Sequence, residues 1–230
     1  MEERVRQVDV STLQERVYRE LRNALYQGHF VPGAPVTIRS LAAALGTSPM
    51  PVREAMQRLV AERALVQTPN RTVRVAGLTA DAFDELTRIR MEIEGFAAQR
   101  AAQRSTRELC ARLRSINDSF RTTVANDDAK GMLELNQIFH FELYHAAQAN
   151  ELLQIIESLW LRFGPILAFV RNIPGSSAMF KRGVDVHERV IVALEQGDSA
   201  GARFSLALDI RAAASWFRRN HRFDPPSRQD

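Results

Sequence analysis

Two histidines, an asparagine and an aspartate interrupt apolar helical stripes in the second half of the sequence. Asn136 and His140 are four apart, so on a helix they share a face, and that face also carries Leu133, Leu143 and Ala147. His187 falls among Val184, Val190, Ile191 and Leu194, and Asp209 among Leu206, Ile210 and Ala213. A polar group on a core-facing stripe needs a partner, because burying it unpaired costs about 1–3 kcal/mol. If the helices converge, the four can satisfy one another by holding a divalent ion. Neutral imidazole suits Zn, Ni, Cu or Fe, and a carboxylate with an amide oxygen completes a mixed nitrogen and oxygen site. Each histidine taken alone also reads as a hydrogen-bonded core residue. Two histidines and a carboxylate occur in non-haem iron and hydrolytic centres as well. No nucleophile or general base with motif support accompanies them, so the sequence is not read as an enzyme.

A second constellation lies near the N-terminus. Residues 38–63 read as a short helix ended by Gly46, a tight turn, and a second helix opened by Ser48 and Pro49. This is the layout of a helix-turn-helix, whose second helix enters the DNA major groove by its N-terminal end. Val52, Ala55, Met56, Leu59 and Val60 make its packing face, while Ser48, Met50 and Arg53 begin the opposite one. Arg53 carries a planar fork suited to a guanine edge or a phosphate. Ser48 stands where a helix N-terminus favours a phosphate. A plain helical hairpin with a surface arginine has the same pattern. Charge separates the two readings in part. Of 31 basic and 27 acidic residues, positions 1–77 hold 11 arginines and 7 acids, leaving 20 of each sign for 78–230. The whole excess of +4 therefore lies in the first third, as expected of one module that meets phosphate beside one that does not.

The elements needed to position these residues are punctuated clearly. A capping box at Ser11–Gln14 precedes a helix over 12–27, stopped by Gly28. Prolines and a glycine keep 29–35 irregular. Helices follow over 38–45 and 49–63, then a β-hairpin with strands at 65–68 and 72–75 and a turn at Pro69, Asn70 and Arg71. Beyond Gly77 the pattern is almost wholly helical, over 79–104, 106–126, 128–149, 151–171, 177–196 and 199–220, with Asp127, Asn150, Ser176 and Asp198 among the expected caps. Gly164 and Pro165 should kink or split the fourth of these. The fold class is mainly α: a winged helix-turn-helix with a small hairpin wing over 8–76, an all-α bundle over 79–220, and a disordered tail over 221–230.

Composition bounds the function. The apolar fraction of 45% supports a sizeable core. The lone Cys110 leaves no intrachain disulfide and no Cys-rich zinc module. No run approaches the roughly 20 apolar residues of a membrane span, and the charged N-terminus lacks a signal region. A cytoplasmic protein without a membrane partner is expected.

The strings IRSLAAALG at 38–46 and SPMPVREAMQRL at 48–59, with Pro32-Gly33 before them and Ala64-Leu65-Val66 after, resemble the winged-helix domain of the GntR family of bacterial regulators. Residues 79–220 resemble the FCD domain of its FadR subfamily, through Arg90 and Glu94, Phe139-His140, Asn150 with Leu152, His187-Glu188 and Gly197-Asp198. The resemblance implies a DNA-binding regulator, usually a repressor, that dimerises through the helical domain. It implies operator contacts by Arg39, Ser48 and Arg53. Many members carry an arginine where this chain has Pro49 and a glycine at the wing tip where it has Asn70-Arg71, so Arg71 is the expected minor-groove residue. Many FCD domains place an aspartate and three histidines at Asn136, His140, His187 and Asp209; two of the four differ here. Weaker metal affinity, or a shift toward harder ions, is expected among Zn, Ni and Mn. The implied effector is a small organic acid, with Arg90, Tyr144 and Arg162 as its candidate contacts; a metal-free pocket is the alternative. Arg90 could equally form an ion pair with Glu94 on a solvated helix face. The linker at 75–79 is expected to carry motion between the domains.

Overall fold

The computed structural model describes residues 12–172, 176–221 and 223. The first domain runs α1 (Leu13–Tyr26), β1 (Pro35–Val36), α2 (Ile38–Ala44), α3 (Pro49–Ala61), β2 (Leu65–Gln67) and β3 (Val73–Val75). The cap of α1 is Thr12, whose side chain accepts from the Glu15 amide at 3.3 Å; Ser11 and residues 8–10 lie outside the described residues. The wing has one strand more than the expected hairpin. The antiparallel order is β1-β3-β2, with Val36 opposite Val73. Two residues, one of them Pro35, carry no alternation of their own, so β1 exists only because β3 offers it an edge. Val17, Leu21 and Leu25 of α1 share a buried core with Val52, Met56 and Leu59 of α3. A polar clasp closes the other end. The Tyr18 hydroxyl donates to Glu62 at 2.7–2.8 Å, and Arg58 lies 3.7 Å over the Tyr18 ring while pairing with Glu15 and Glu62. Burial and the Glu62 carboxylate push the Tyr18 hydroxyl up to about 12.

The second domain is α4 (Ala80–Ala102), α5 (Arg107–Ala125), α6 (Ala129–Ala146), α7 (Asn150–Phe163), a 3₁₀ helix (Gly164–Asn172), α8 (Ser176–Glu195) and α9 (Ser199–Asn220). Side chains of Thr79, Thr106, Asp128 and Asp198 cap their helices. The expected caps Asp127 and Asn150 are displaced by one residue: Asp127 sits at φ 52, and α7 begins at Asn150 behind Ala149. At Gly164 the α-helix ends and the tighter 3₁₀ winding takes over, the split that Gly164-Pro165 predicted. Helix α4 runs through the centre, its Ala97, Ala98 and Ala101 fully buried, and packs on α6, α7, α8 and α9. Two residues of the expected disordered tail, His221 and Phe223, are packed instead. The His221 ring stacks on Phe169 at 3.9 Å and the Phe223 ring lies 4.6 Å from Phe83, so aromatic contact holds both in place; residues 222 and 224–230 lie outside the described residues.

The domains meet through α1, not only through the linker. The Tyr26 hydroxyl donates to the Glu157 carbonyl at 3.1 Å, Arg22 pairs with the Glu157 carboxylate at 2.9 Å, and the Tyr26 ring stacks on Phe141 at 5.3 Å. Gly164 permits this closeness: a Cβ there would stand 2.4 Å from the Leu25 carbonyl oxygen. Gly28, at φ +64, faces the Ala168 backbone as closely, with 2.5 Å left for a Cβ. The stretch Asn150–Val170 has a mean hydropathy of 1.4 and meets the length and composition of a membrane span, correcting the expectation that no run approaches one. Its most apolar window is 61% buried, and its helices pack on α1 and α4, as a core helix does.

Candidate functional site

His140 and His187 are buried, and the structure brings both to Asp209. One donor atom from each lies within 4.8 Å of the other two. His140 comes from the middle of α6, His187 from α8 and Asp209 from α9, so three helices must pack correctly before the group exists. Asn136, one turn before His140, is half-buried and lines the same cavity. That cavity holds about 40 Å³, and Arg90, Trp160, Phe163, Leu167, Met179 and Phe180 complete most of its wall. By volume it has room for only about three water-sized groups.

The hydrogen-bond pattern fixes what His140 offers. The Tyr144 hydroxyl donates to Glu94 in a very short contact, so its oxygen accepts from His140 Nδ1 at 2.8 Å. The Nε2 atom then faces Asp209 Oδ2 at 3.2 Å. A lone pair and a carboxylate at that distance require a shared cation, either a proton or a metal ion. His187 is fully buried. Its ring stacks on Phe139 at 3.8 Å and 7°, with Phe120 at 5.3 Å, yet neither ring nitrogen has a hydrogen-bond partner. Burial pushes this imidazole down to about 3, which keeps it neutral and its lone pair available. Burial alone would raise the Asp209 carboxyl. The contact with His140 and the positive charge of Arg90 work against burial, and the carboxyl is held below its ordinary range, as a carboxylate. An ionised carboxylate and two imidazoles, one of them without any partner, fit a divalent ion of the nitrogen- and oxygen-binding class.

The expected pocket residues separate. Arg90 lines the cavity, but the solvated ion pair is overturned: both it and Glu94 are buried. Its Nε donates to Glu94 Oε1 at 2.6 Å and its Nη2 to Oε2 at 3.2 Å, while the guanidinium lies 3.9 Å from the Phe163 ring centre. Glu94 also accepts from Trp160 Nε1 at 3.2 Å. It neutralises Arg90 and leaves Nη1 as the guanidinium nitrogen not directed at it. Tyr144 stands behind His140, outside the cavity wall, where burial and Glu94 raise its hydroxyl well above the ordinary value. Arg162 is half-buried and does not line the cavity. Glu94 and Trp160 were missed by sequence reading. Glu94 looked like a helix-surface partner, and nothing in periodicity showed that the face of α4 carrying it is packed against other helices.

On the first domain the arrangement is reversed. Arg39, Ser48, Met50, Arg53 and Arg71 are all exposed, and among the described residues none of the three arginines forms an ion pair. Ser48 caps α3 without spending its hydroxyl on the helix. Arg53 and Arg71 line one groove between α3 and the wing, together with Gln57. Gln57 was not singled out from sequence, although it lies one turn beyond Arg53 on the same face. The wing tip is held by the Arg71 amide to the Thr68 carbonyl at 2.9 Å and the Thr68 amide to the Thr72 carbonyl at 2.8 Å, with Arg71 itself at φ 62.

Two family models match separate stretches of the chain. The model of the gntR family of bacterial regulatory proteins matches residues 13–75, and the FCD domain model matches 85–212. The chain is 30% identical over 192 residues to the HTH-type transcriptional regulator McbR of Escherichia coli, covering 84% of this chain and 86% of that protein. The solved structure of that regulator superposes with a TM-score of 0.85 over 91% of this chain and 98% of the other. The Nta operon transcriptional regulator of Aminobacter aminovorans is 31% identical over 76% of this chain and 80% of its own. The gluconate operon transcriptional repressor of Bacillus subtilis is 25% identical over 80% of this chain and 76% of its own.

Proposed function

The chain belongs to the GntR family of bacterial regulatory proteins, in its FCD-bearing branch, and from that premise we propose that it is a repressor of the FadR type whose operator affinity is set by an organic acid bound at a metal centre in the helical domain. It is a DNA-binding transcriptional regulator, not an enzyme. The observation that carries the metal-dependent reading is His187: two buried ring nitrogens without a partner, beside His140 and Asp209. His140, His187 and Asp209 would hold the ion, with Asn136 on the same wall. A bound divalent ion supplies an open coordination position for a carboxylate. The chain's own residues do the rest. Tyr144 fixes the His140 tautomer through Nδ1, Glu94 fixes Tyr144, and Phe139 holds the His187 ring in plane.

Arg39, Ser48, Met50 and Arg53 would meet the major groove and its phosphates, and Arg71 the minor groove. An operator with two half-sites calls for a homodimer. The outer faces of α4 and α9 favour one: Phe204 is 68% exposed, Phe96 42% and Ile89 39%, apolar groups that a second copy would cover. An acid that binds one arrangement of the two heads better than the other shifts operator affinity by no more than that difference. The contacts from Trp160 to Tyr26 give the site a route to α1. Such a regulator works in the cytoplasm, where its operator is.

Elemental analysis tests the centre directly. Protein reloaded with Zn, Ni or Mn and desalted should retain one ion per chain, and His187→Ala should retain none. Absence of stoichiometric metal after all three reloadings sinks the metal-dependent reading and leaves a metal-free pocket.

A further inference from the structure

The cavity at the histidine pair is not the end of the seam between α8 and α9. A second hollow of about 150 Å³ follows along the same two helices, lined by Ala178, Met179, Arg182, Ala212, Trp216 and Arg219. Met179 and Ala212 line both spaces, so the two hollows adjoin at these residues. The two rooms differ in chemistry. The inner one is small, and its arginine is already neutralised by Glu94. The outer one is larger, and Arg182 and Arg219 are exposed, with no ion-pair partner for either among the described residues. Cationic charge free to meet an anion therefore lies in the outer hollow.

We infer that the effector is a two-headed acid, with one carboxylate in the inner cavity and a second anionic group held by Arg182 and Arg219 in the outer hollow, its chain passing Met179. This rests on the inner-site reading above. Size agrees with it, since the inner volume takes a carboxylate and little more, while the adjoining outer hollow has room for further atoms. Reach agrees as well. From Asp209 to Arg219 the axis of α9 advances about 15 Å, and helical side chains lean toward the N-terminus, which brings the Arg219 guanidinium back along the seam toward Asp209. Planar guanidinium forks suit a carboxylate or phosphate head.

Calorimetric titration of the full-length, metal-loaded protein tests this. The probes are straight-chain α,ω-dicarboxylates from succinate to suberate, each compared with the monocarboxylate of equal carbon number. The best dicarboxylate should bind at least tenfold more tightly than its monocarboxylate. In the Arg182→Gln/Arg219→Gln variant that advantage should vanish, while monocarboxylate affinity stays within twofold. Both arginines are exposed, so the fold should survive, and far-ultraviolet circular dichroism checks it. An ω-phosphono acid of the best length, compared with the dicarboxylate, tells which anionic head the outer arginines prefer. Equal affinity of the mono- and dicarboxylates in the parent protein, or an advantage that persists in the double variant, overturns the outer head. If either pattern appears while His187→Ala abolishes all binding, only the outer head has failed. If His187→Ala leaves every affinity unchanged, the inner-site reading has failed and takes this inference with it.

Discussion

The two domains place their working side chains in opposite environments. On the winged helix, Arg39, Met50, Arg53 and Arg71 point into solvent and contribute little to packing. In the helical domain, Arg90, Glu94, His140, Tyr144 and His187 are all buried, and the first four form one chain of partners, from Arg90 to Glu94, Glu94 to Tyr144 and Tyr144 to His140. The first set can change with little cost to the fold, which suits a surface that must match one operator among relatives. The second set cannot, because a buried charge or donor left alone is expensive. The proposed surface for DNA and the proposed site for an effector thus differ in their tolerance to substitution.

The largest expected effect tests that contrast at Glu94. Replacing it by alanine strands the Arg90 guanidinium and removes the acceptor of Tyr144 and Trp160. A loss of about 3–5 kcal/mol is expected, as for a broken buried ion pair. Glu62→Ala in the first domain, where Glu62 and its partner Arg58 reach solvent although Tyr18 is buried, should cost about 1 kcal/mol. Urea unfolding followed by far-ultraviolet circular dichroism measures both. Equal costs would mean that burial is not what separates the domains. Next in size is Arg53→Ala, expected to weaken operator binding by about 1–3 kcal/mol if the fork reads a base, with stability within about 0.5 kcal/mol of the parent. A gel shift beside a melting curve reads the two effects separately. An unchanged operator affinity would remove Arg53 from the interface.

The same contrast explains what the sequence revealed. Arg53 and Ser48 were legible because nothing in packing demands them where they stand, so their motif stands out. His140, His187 and Asp209 were legible as polar breaks in apolar stripes, and the three do converge. Arg90 and Glu94 were misread because an i,i+4 ion pair looks the same on a wet face as in a core; only the packing of α4 against α6, α7 and α9 decides. Tyr144 reads from sequence as a pocket residue, but it contacts the site at second hand, through the imidazole it orients. The strand β1 was hidden for a different reason, since two residues are too few to show a period. Arg182 and Arg219 were invisible as a pair, being 37 positions apart on helices whose relative register no sequence pattern states.

A smaller effect concerns the joint between the domains. Tyr26→Phe keeps the stacking on Phe141 and removes one hydrogen bond, from the hydroxyl to the Glu157 carbonyl. About 1 kcal/mol of docking should be lost. Operator affinity of the effector-free protein should change little, whereas the shift produced by effector should shrink, because α1 no longer follows α7 as closely. Gel shifts with and without a binding acid measure that ratio. A full effector response in Tyr26→Phe would assign the coupling to the linker at 75–79 instead.

The smallest effect divides stability from function at one position. Arg71 sits at φ 62, in the left-handed region where a side chain costs roughly 1 kcal/mol relative to glycine. Asn70 and Thr68 fasten the turn around it, so the backbone does not relax. Arg71→Gly should therefore leave the domain as stable or up to about 1 kcal/mol more stable, the released strain being partly offset by the greater freedom of glycine in the unfolded chain. Operator affinity should move the other way. Loss of one cation that meets phosphates or a narrow minor groove should lower affinity and reduce the slope of log affinity against log salt by about 1. Thermal melts and salt-dependent binding isotherms read the two signs independently. If Arg71→Gly leaves the salt slope unchanged, the wing tip does not touch the operator, and the exposed arginine would stand at a strained position without a contact to account for it.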